Sequence, residues 1–320
     1  MKCSRRCLVS AMALGVGGAL LGCSRPAPFR IAGHPWPGYE PLFFAETQKL
    51  LPQQVTLLHF PTIKASIDAL REGKTEGAML TLDEVLALQV QGMDLQVILV
   101  MDVSKGADAI VAKKEFQTVS QLRGKRIGVE PSTLGELMQT MILDKAGLKH
   151  TEVKTVKIAY EEQEAAFMKG ELDALISYDP VTSRLVAAGA NKLLSTRDLP
   201  VSIFDVLAVR TEIAKNHTDT LQKTLRGHFQ ALEQLRRNPW DTAYRMVPHA
   251  GVSAEDLIAS FRGLELPDLV ANTSYLNSKN DHLTKVVAKL SQIMVATGTI
   301  PRPADAKHLF TDAYLPKTLD

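Results

Sequence analysis

Four aspartates of this 320-residue sequence stand where an apolar segment begins or ends. Asp102 directly follows an apolar run, and Asp108 lies shortly after it. Asp179, next to Tyr178, ends a later apolar segment, and Asp205 lies within the last one before a long helical region. If the fold brings these positions together, the carboxylates would bind a group that is positively charged or donates hydrogen bonds. Each aspartate alone also has a structural explanation, because aspartate caps helices and turns.

An aromatic pair lies in the segment GHPWPGYE at residues 33–40. Trp36 and Tyr39 are separated only by Pro37 and Gly38, which favour a turn over a helix or a core strand. Rings in such a turn can stack on a planar ligand or cover a cation. The alternative is that Trp36 packs beneath the loop as part of the core.

Further polar residues occupy positions typical of helix starts. They are Thr62, Thr81, Asp83 and Ser132. Thr62 and Thr81 are good N-caps, and capping alone accounts for them, although the free N–H groups of a helix start also bind ligands. Thr133 with Glu136 fits a capping box, which would leave Ser132 free to reach a ligand. An anion could be held at these helix starts, but the aspartates favour an amine, an amidine or a nucleobase-like ligand over a sulfonate or nitrate.

No pattern in the sequence indicates an enzyme. There is neither a Gly-x-Ser-x-Gly elbow nor a His-Glu-x-x-His motif, and the eight histidines show no metal-ligand spacing. His34 and His59 follow apolar segments, where a lone histidine usually forms a hydrogen-bonding wall. Gly73-Lys74-Thr75 imitates the end of a P-loop, but Asp68 stands where the first glycine is needed. A formal net charge of +2, mixed along the chain, offers no basic stripe. We therefore expect no catalytic residue, cofactor, metal or nucleic-acid partner.

The first residues have the pattern of a bacterial export signal. Basic residues up to Arg6 precede an apolar stretch at 8–21, which has signal-peptide length and is short for a bilayer span. The stretch ends in Leu20-Leu21-Gly22-Cys23, which resembles a lipobox. We interpret residues 1–22 as a signal peptide and Cys23 as the lipidated residue. Ser24 favours the outer membrane, while Ser4-Arg5-Arg6 leaves open export by the general or the twin-arginine route. All three cysteines lie within the first 23 residues, so the rest of the chain has no disulfide or thiolate chemistry.

Behind these residues, short apolar segments alternate with amphipathic ones. This alternation predicts an α/β fold with mostly parallel sheets and helices on both faces. The predicted strands are 29–32, 55–60, 77–80, 95–101, 125–129, 153–158, 174–176, 193–195 and 203–209. The predicted helices are 41–50, 63–72, 82–91, 133–146, 162–169, 180–188, 219–237, 240–247, 254–261 and 281–296.

Two α/β units followed by a helical tail predict two lobes, with chain crossings at 102–108 and 202–205. We assign 29–102 and 206–320 to lobe 1, 103–205 to lobe 2, and 23–28 to a lipid-anchored linker. Ligands in open α/β sheets bind beyond the carboxyl ends of the strands. Two facing sheets would therefore form a cleft that closes around a ligand by a hinge motion.

Three motifs carry a resemblance to a known family. They are WPGYEPLFFA at 36–45, LRGKRIGV at 122–129 and FMKGELDA at 167–174. With these motifs, the chain from about residue 29 to 316 resembles the periplasmic substrate-binding proteins of ABC importers, in the group that serves nitrate, sulfonates, taurine and thiamine-precursor pyrimidines. The resemblance implies a two-lobed periplasmic-binding-protein fold of type 2, with mixed, mostly parallel sheets and a helical C-terminal tail.

The resemblance also implies a function in solute capture. A lipid-anchored periplasmic protein, expected to be monomeric, would bind a small organic molecule and deliver it to the permease of an ABC importer. The sequence leaves open the alternative of a co-receptor whose closed form docks on a membrane sensor. The expected ligand contacts are Trp36, Tyr39, Thr62, Thr81, Asp83, Asp102, Asp108, Ser132, Tyr178, Asp179 and Asp205.

Overall fold

The computed structural model describes residues 28–277 and 279–319. The predicted signal peptide, the lipidation site Cys23 and nearly all of the linker lie outside the described residues. Within the described ranges, none of the helices combines the length and the apolar character that a bilayer crossing needs.

Strands and helices alternate through most of the described chain. The strands are β1 (Phe29–Gly33), β2 (Val55–His59), β3 (Gly77–Thr81), β4 (Leu95–Ser104), β5 (Ala109–Ala112), β6 (Arg126–Val129), β7 (Lys154–Lys157), β8 (Ala174–Ser177), β9 (Asn191–Ser195), β10 (Phe204–Arg210) and β11 (Leu264–Glu265). The helices are α1 (Glu40–Thr47), α2 (Ile63–Arg71), α3 (Leu82–Val90), α4 (Thr133–Lys145), α5 (Tyr160–Met168), α6 (Val181–Ala187), α7 (Thr211–Ala214), α8 (Thr218–Arg237), α9 (Pro239–Ala250), α10 (Ala254–Phe261), α11 (Leu269–Leu276) and α12 (His282–Ala296).

The strands form two sheets of mixed direction. The first has the order β11-β4-β10-β3-β1-β2, and the second has the order β7-β6-β8-β5-β9. Most strands of each sheet point the same way, but β10 lies antiparallel between β3 and β4, and β5 lies antiparallel between β8 and β9. Each antiparallel strand is the first one after the chain passes from one sheet to the other. The chain passes from β4 of the first sheet to β5 of the second, and from β9 of the second sheet to β10 of the first. The carboxyl ends of β3, β4 and β8 therefore meet the amino ends of β5 and β10 at one edge.

The α/β alternation predicted from the sequence is confirmed, while several element bounds differ. Strands β5 and β11 and helix α11 were not predicted, and residues 297–319 follow α12 without a further helix. Helix α9 continues past Pro248 to Ala250, because that proline lies in the last turn before the left-handed cap at Gly251. Strand β4 runs to Ser104 and β10 begins at Phe204, so both strands extend slightly beyond the predicted lobe boundaries after residues 102 and 205. The assignment of residue ranges to two lobes stays a prediction.

A helical layer supports the loop that carries Trp36 and Tyr39. Helix α8 has buried residues along one face, including Leu225, Phe229 and Leu232, and packs against α1 and α9. The close approach of α8 to the end of α1 requires Gly227, because a Cβ there would lie 2.8 Å from the carbonyl oxygen of Leu50. Since α1 follows the aromatic turn directly, this packing fixes the position of that turn against the first sheet.

Candidate ligand-binding site

The four aspartates singled out in the sequence converge at the edge where the two sheets meet. In the first sheet, Asp205 on β10 is in register with Asp102 on β4 on one side and with Thr81 on β3 on the other. On the side of the second sheet, Asp108 precedes β5 and Asp179 follows β8. Both sheets therefore contribute carboxylates to one cluster, as the strand-end argument predicts.

Trp36 and Tyr39 hold two of these carboxylates by hydrogen bonds. Trp36 Nε1 donates to Asp102 Oδ2 at 2.9 Å, and the Tyr39 hydroxyl donates to Asp205 Oδ1 at 2.6 Å. Both rings are buried, Trp36 with 7% and Tyr39 with 0% of its surface exposed. Gly38 between them allows this arrangement, because a Cβ there would clash with the carboxylate of Asp102. The sequence predicted rings that face a ligand, and the structure adds that their polar atoms orient acidic groups.

Tyrosine rings extend the aromatic surface onto the second sheet. Tyr178 meets Trp36 edge to face with ring centroids 5.3 Å apart. Tyr160, at the start of α5, stacks on Tyr178 at 4.3 Å with nearly parallel planes. Trp36 follows β1 of the first sheet, whereas Tyr178 follows β8 of the second sheet and Tyr160 begins the helix that precedes β8. The aromatic contact therefore bridges the two sheets beside the carboxylates.

Several oxygens of the cluster have no hydrogen-bond partner among the described residues. They are Asp83 Oδ2, Glu84 Oε1, Asp102 Oδ1, Asp108 Oδ2 and Asp205 Oδ2, joined by Thr81 Oγ1 and by His34 Nδ1. All five acidic residues are at most 3% exposed. A buried polar atom without a partner costs about 1–3 kcal/mol. Because buried polar groups are nearly always hydrogen-bonded, such a cluster indicates a place where a bound molecule supplies the missing bonds.

Burial raises the pKa of the carboxyl groups in this cluster. It raises the pKa of Asp108 to about 6, of Asp83 to about 7, and of Glu84 and Asp102 to about 8. Asp205 has its pKa raised well above the usual range by burial and then by the charge of Asp102. Glu84, Asp102 and Asp205 thus favour the protonated form at pH 7, whereas Asp108 favours the ionised form. A cation that enters the cluster would favour ionised carboxylates.

Two cavities adjoin the cluster. A small one of about 10 Å³ is lined by His34, Trp36, Thr81, Tyr178 and Asp205, among others. A larger one of about 280 Å³, which we call the side cavity, lies against Trp36, Tyr160, Asp179 and His249. Pro35 and Trp36 line both. Of the predicted site residues, Trp36, Thr81, Tyr178, Asp179 and Asp205 line one or both cavities, whereas Tyr39, Asp83, Asp102 and Asp108 are buried and line neither.

Thr62 and Ser132 act as helix caps. The Thr62 hydroxyl accepts a hydrogen bond from the N–H of Ala65 at 3.2 Å, and Thr62 is exposed and lines neither cavity. Ser132 accepts from the N–H of Gly135 at 3.0 Å and caps α4. The capping box predicted at Thr133 is therefore wrong, because the extended backbone that a cap requires occurs one residue earlier. Ser132 lies instead beside a third cavity of about 370 Å³.

Sequence reasoning did not identify three residues of this region: Glu84, Glu130 and Tyr160. Glu84 accepts a hydrogen bond from the N–H of Thr81 at 3.0 Å, which is the Thr-x-x-Glu capping signal that was readable in the sequence. Glu130 directly follows β6, and burial raises its pKa to about 7. Within the part of the chain that the structure describes, no group of three or more His, Cys, Asp or Glu is arranged to hold a metal ion.

Asp179 caps α6 with one of its oxygens. Asp179 Oδ1 accepts from the N–H of Ser183 at 3.0 Å, from the Ser183 hydroxyl at 2.7 Å and from the Thr182 hydroxyl. We expect Asp179→Ala to lower the free energy of unfolding in urea by about 1–2 kcal/mol. Asp179→Asn should retain most of that stability, because asparagine also caps helices. An Asn variant that keeps its stability but binds an amine as weakly as the Ala variant would instead make Asp179 a ligand contact.

Comparisons with known proteins identify a family and a fold for this chain. The sequence profile of the NMT1-like family matches residues 24–246. A protein of Brucella abortus named as a binding protein is 22% identical over 215 residues, which cover 65% of this chain and 66% of that protein's length. The crystal structure of the periplasmic aliphatic sulphonate binding protein of Escherichia coli has a TM-score of 0.73 at 20% identity, covering 91% of this chain and 99% of the other.

Two further structures of similar fold are named for different functions. A zinc-bound ligand-binding component of an ABC-type import system from Staphylococcus aureus has a TM-score of 0.71 at 16% identity, covering 90% of this chain and 98% of the other. The desulfurization enzyme DSZB has a TM-score of 0.63 at 15% identity, covering 92% of this chain and 97% of the other. At these identities the likeness shows the fold alone, which is that of the periplasmic binding proteins.

Proposed function

The chain belongs to the NMT1-like family, and on that premise we propose that it is a periplasmic solute-binding protein of an ABC importer. It captures a small organic molecule between lobe 1 (29–102 and 206–320) and lobe 2 (103–205) and delivers it, chemically unchanged, to the permease. The observation that carries this proposal is the cluster of buried carboxylates from both sheets, whose free oxygens have no partner among the described residues.

We propose a solute that donates hydrogen bonds, such as an amine, an amidine or a nucleobase-like molecule. Asp102, Asp108 and Asp205 offer acceptor oxygens at less than 4% exposure, and the residues that line the small cavity include neither arginine nor lysine. A sulfonate or nitrate in this position would face carboxyl groups with no cation beside them. The solute class therefore differs from the sulphonate named for the structural neighbour of Escherichia coli.

Closure of the lobes is proposed to depend on the solute. A donor that bonds to Asp102 and Asp205 of the first sheet and to Asp108 beside the second would join the two halves. Outside the cleft, Arg184 on α6 reaches Asp256 on α10 with a nitrogen–oxygen distance of 3.6 Å, which supports the same closed arrangement. Because a ligand shifts an equilibrium only through its differential affinity, contacts made by both halves are the ones that favour closure.

The proposed location follows from the segment outside the described residues. A lipid on Cys23 would tether the protein to a bacterial membrane, with Ser24 favouring the outer one, and residues 23–28 would link the anchor to the lobes. The alternative of a co-receptor has no specific observation in its favour, whereas a protein of the same fold is named as part of an import system.

A thermal-shift panel tests the proposal on the full chain. Benzylamine, cytosine, ethanesulfonate and nitrate are added at pH 7.5, and a ligand at 100 times its Kd stabilises the folded state by about 2.7 kcal/mol. We expect benzylamine or cytosine to raise the melting temperature by several degrees. A shift with only ethanesulfonate or nitrate would retain solute binding and contradict the donor class. No shift at all, together with no co-purified small molecule in native mass spectrometry, would contradict the function.

A further inference from the structure

The side cavity beside the carboxylate cluster has mostly apolar walls. Trp36, Tyr160, Pro180 and Leu257 form a large part of them. Its volume of about 280 Å³ is large enough for one substituted aromatic ring, since a cavity of about 150 Å³ holds benzene. Pro35 and Trp36 also line the small cavity next to Asp205, so the two cavities adjoin the same loop.

Three side chains form a hydrogen-bonded chain at the polar end of the side cavity. Glu40 lies at the start of α1, His249 near the end of α9, and His59 at the end of β2. His249 Nδ1 lies 3.1 Å and 3.0 Å from the two carboxylate oxygens of Glu40, and His59 Nδ1 lies 3.2 Å from His249 Nε2. Phe43 stacks on the His249 ring with centroids 3.9 Å apart. The orientation of His249 is therefore fixed from two sides.

The order of this chain determines which nitrogen of His59 carries the proton. Glu40 accepts the Nδ1–H of His249, so neutral His249 has its lone pair on Nε2. That lone pair accepts the Nδ1–H of His59, which leaves His59 Nε2 as an acceptor. Burial lowers the pKa of His59, and the neighbouring His249 lowers it further. The neutral form with a free acceptor is therefore favoured above neutral pH.

We propose that the side cavity is a second subsite for the solute, in which His59 Nε2 accepts a hydrogen bond from it. This inference rests on the proposed function and narrows the solute class. The solute has a donor head at Asp102 and Asp205, an apolar or aromatic body beside Trp36, and a second, uncharged donor at its far end. His59 is the residue in contact, while Glu40 acts through His249 as a positioning residue.

Protonation of His59 reverses the hydrogen-bonding sense of this subsite. An added proton makes His59 Nε2 a donor, so a solute donor loses its acceptor at acidic pH. The other titratable groups that face the side cavity or His59 are Glu40, Tyr160, Asp179 and His34. The aspartate cluster also titrates, but it affects two ligands with the same head group equally. The ratio of their affinities therefore depends only on the contact at the far end of the ligand.

Benzylamine and 4-aminobenzylamine form such a pair, because the second adds one neutral donor at the far end of the ring. Calorimetry on the full chain at pH 7.5 should give a Kd for 4-aminobenzylamine about 3- to 10-fold lower, the range of one neutral hydrogen bond. The ratio should decrease as the pH is lowered from 7.5 toward 5, and it should be close to one at pH 7.5 in His59→Phe. The exposed His308→Phe is the matched control and should keep the ratio.

Two measurements distinguish a positioning role of Glu40 from a purely structural one. Glu40→Gln should bring the ratio at pH 7.5 closer to one, because an amide can either accept from or donate to His249 Nδ1 and so no longer fixes which nitrogen of His59 carries the proton. Nitrogen NMR of the free protein at pH 7.5 should show His59 protonated on Nδ1. Observation of the opposite tautomer would overturn the inference without any ligand.

The remaining outcomes distinguish this inference from the proposed function. Equal affinities of the two amines at pH 7.5 would overturn the second subsite and leave the carboxylate site standing. If neither amine binds while ethanesulfonate or nitrate does, the inference falls and solute binding is retained. If no compound of the panel binds and no molecule co-purifies, the function itself has failed.

Discussion

Replacing Asp102 by asparagine is expected to weaken the binding of benzylamine at pH 7.5 by about 10- to 100-fold, the range of one hydrogen bond to a charged group. Asp102 is fully buried, and its Oδ2 is held by Trp36 while its Oδ1 has no partner in the described part of the chain. Asparagine keeps the shape and can still accept the Trp36 hydrogen bond. It removes only the negative charge that an ammonium group would pair with, and calorimetry measures the loss.

The effect on stability gives this prediction an internal check. Asp102→Asn should unfold in urea at the same or a higher concentration than the native protein, because it removes a buried ionisable group. Asp312→Asn changes the same charge at an exposed position and should alter neither affinity nor stability. An unchanged affinity in Asp102→Asn, or an equal loss in Asp312→Asn, would remove Asp102 from the ligand site.

The convergence of the aspartates could be predicted because it depends only on strand direction. Asp102 lies near the carboxyl end of β4 and Asp179 follows the carboxyl end of β8, each in a sheet whose parallel strands are implied by helical crossovers of ordinary length. Errors of a few residues in the strand ends do not change the edge on which such residues lie. The unpredicted strand β5 does not disturb the argument either, because Asp108 precedes it and β5 runs antiparallel to β8.

The role of the aromatic turn could not be predicted in the same way. Tyr39 donates to Asp205, which is 166 residues away in the sequence. A Pro/Gly turn with two rings is compatible with rings that face a ligand and equally with rings that face the core. The structure combines both, since Trp36 is nearly buried and still lines the two cavities. Which of the polar groups meet depends on packing between distant segments, and local patterns carry no information about it.

The chain of Glu40, His249 and His59 shows the same limit. The sequence predicts that His59 forms hydrogen bonds near the site, but it indicates no role for His249. The predicted helix at 240–247 ends before Pro248. The structure extends α9 through that proline and places His249 between a carboxylate and a second imidazole. The members are separated by 190 and 209 residues in the sequence. Only the packing of α9 on α1 brings them together.

The free energy of unfolding of the ligand-free full chain should fall by about 1.4 kcal/mol or more per pH unit between pH 6.5 and 8. Burial raises the pKa of Glu84 and Asp102 to about 8 and raises that of Asp205 well above its usual range. In the unfolded chain the same groups lose their protons near pH 4. The folded protein therefore holds protons that the unfolded chain has lost, and stability decreases as the pH rises toward the folded pKa values.

The window begins at pH 6.5 because two histidines act in the opposite direction below it. Burial lowers the pKa of His34 and His228 to about 3, whereas the unfolded chain protonates histidine below about pH 6.5. Their contribution to the slope makes stability rise with pH through that point, is half lost at about pH 6.5 and is small above about pH 7.5. Urea unfolding at four pH values from 6.5 to 8 therefore measures the carboxyl groups most directly at the upper end of the interval. A free energy that stays constant or rises over this interval would contradict protonated carboxyls in the folded protein.

Asp102→Asn should reduce this slope, and Asp312→Asn should leave it as it is. The same linkage implies how the solute competes. An ammonium group favours ionised carboxylates, so benzylamine should stabilise the protein more at pH 8 than at pH 6.5, and its binding should release protons. The carboxyl cluster thus exchanges a protonated, solute-free state for an ionised, solute-bound state. Calorimetry in buffers of different ionisation enthalpy measures the released protons directly, and a binding enthalpy independent of the buffer would contradict this exchange.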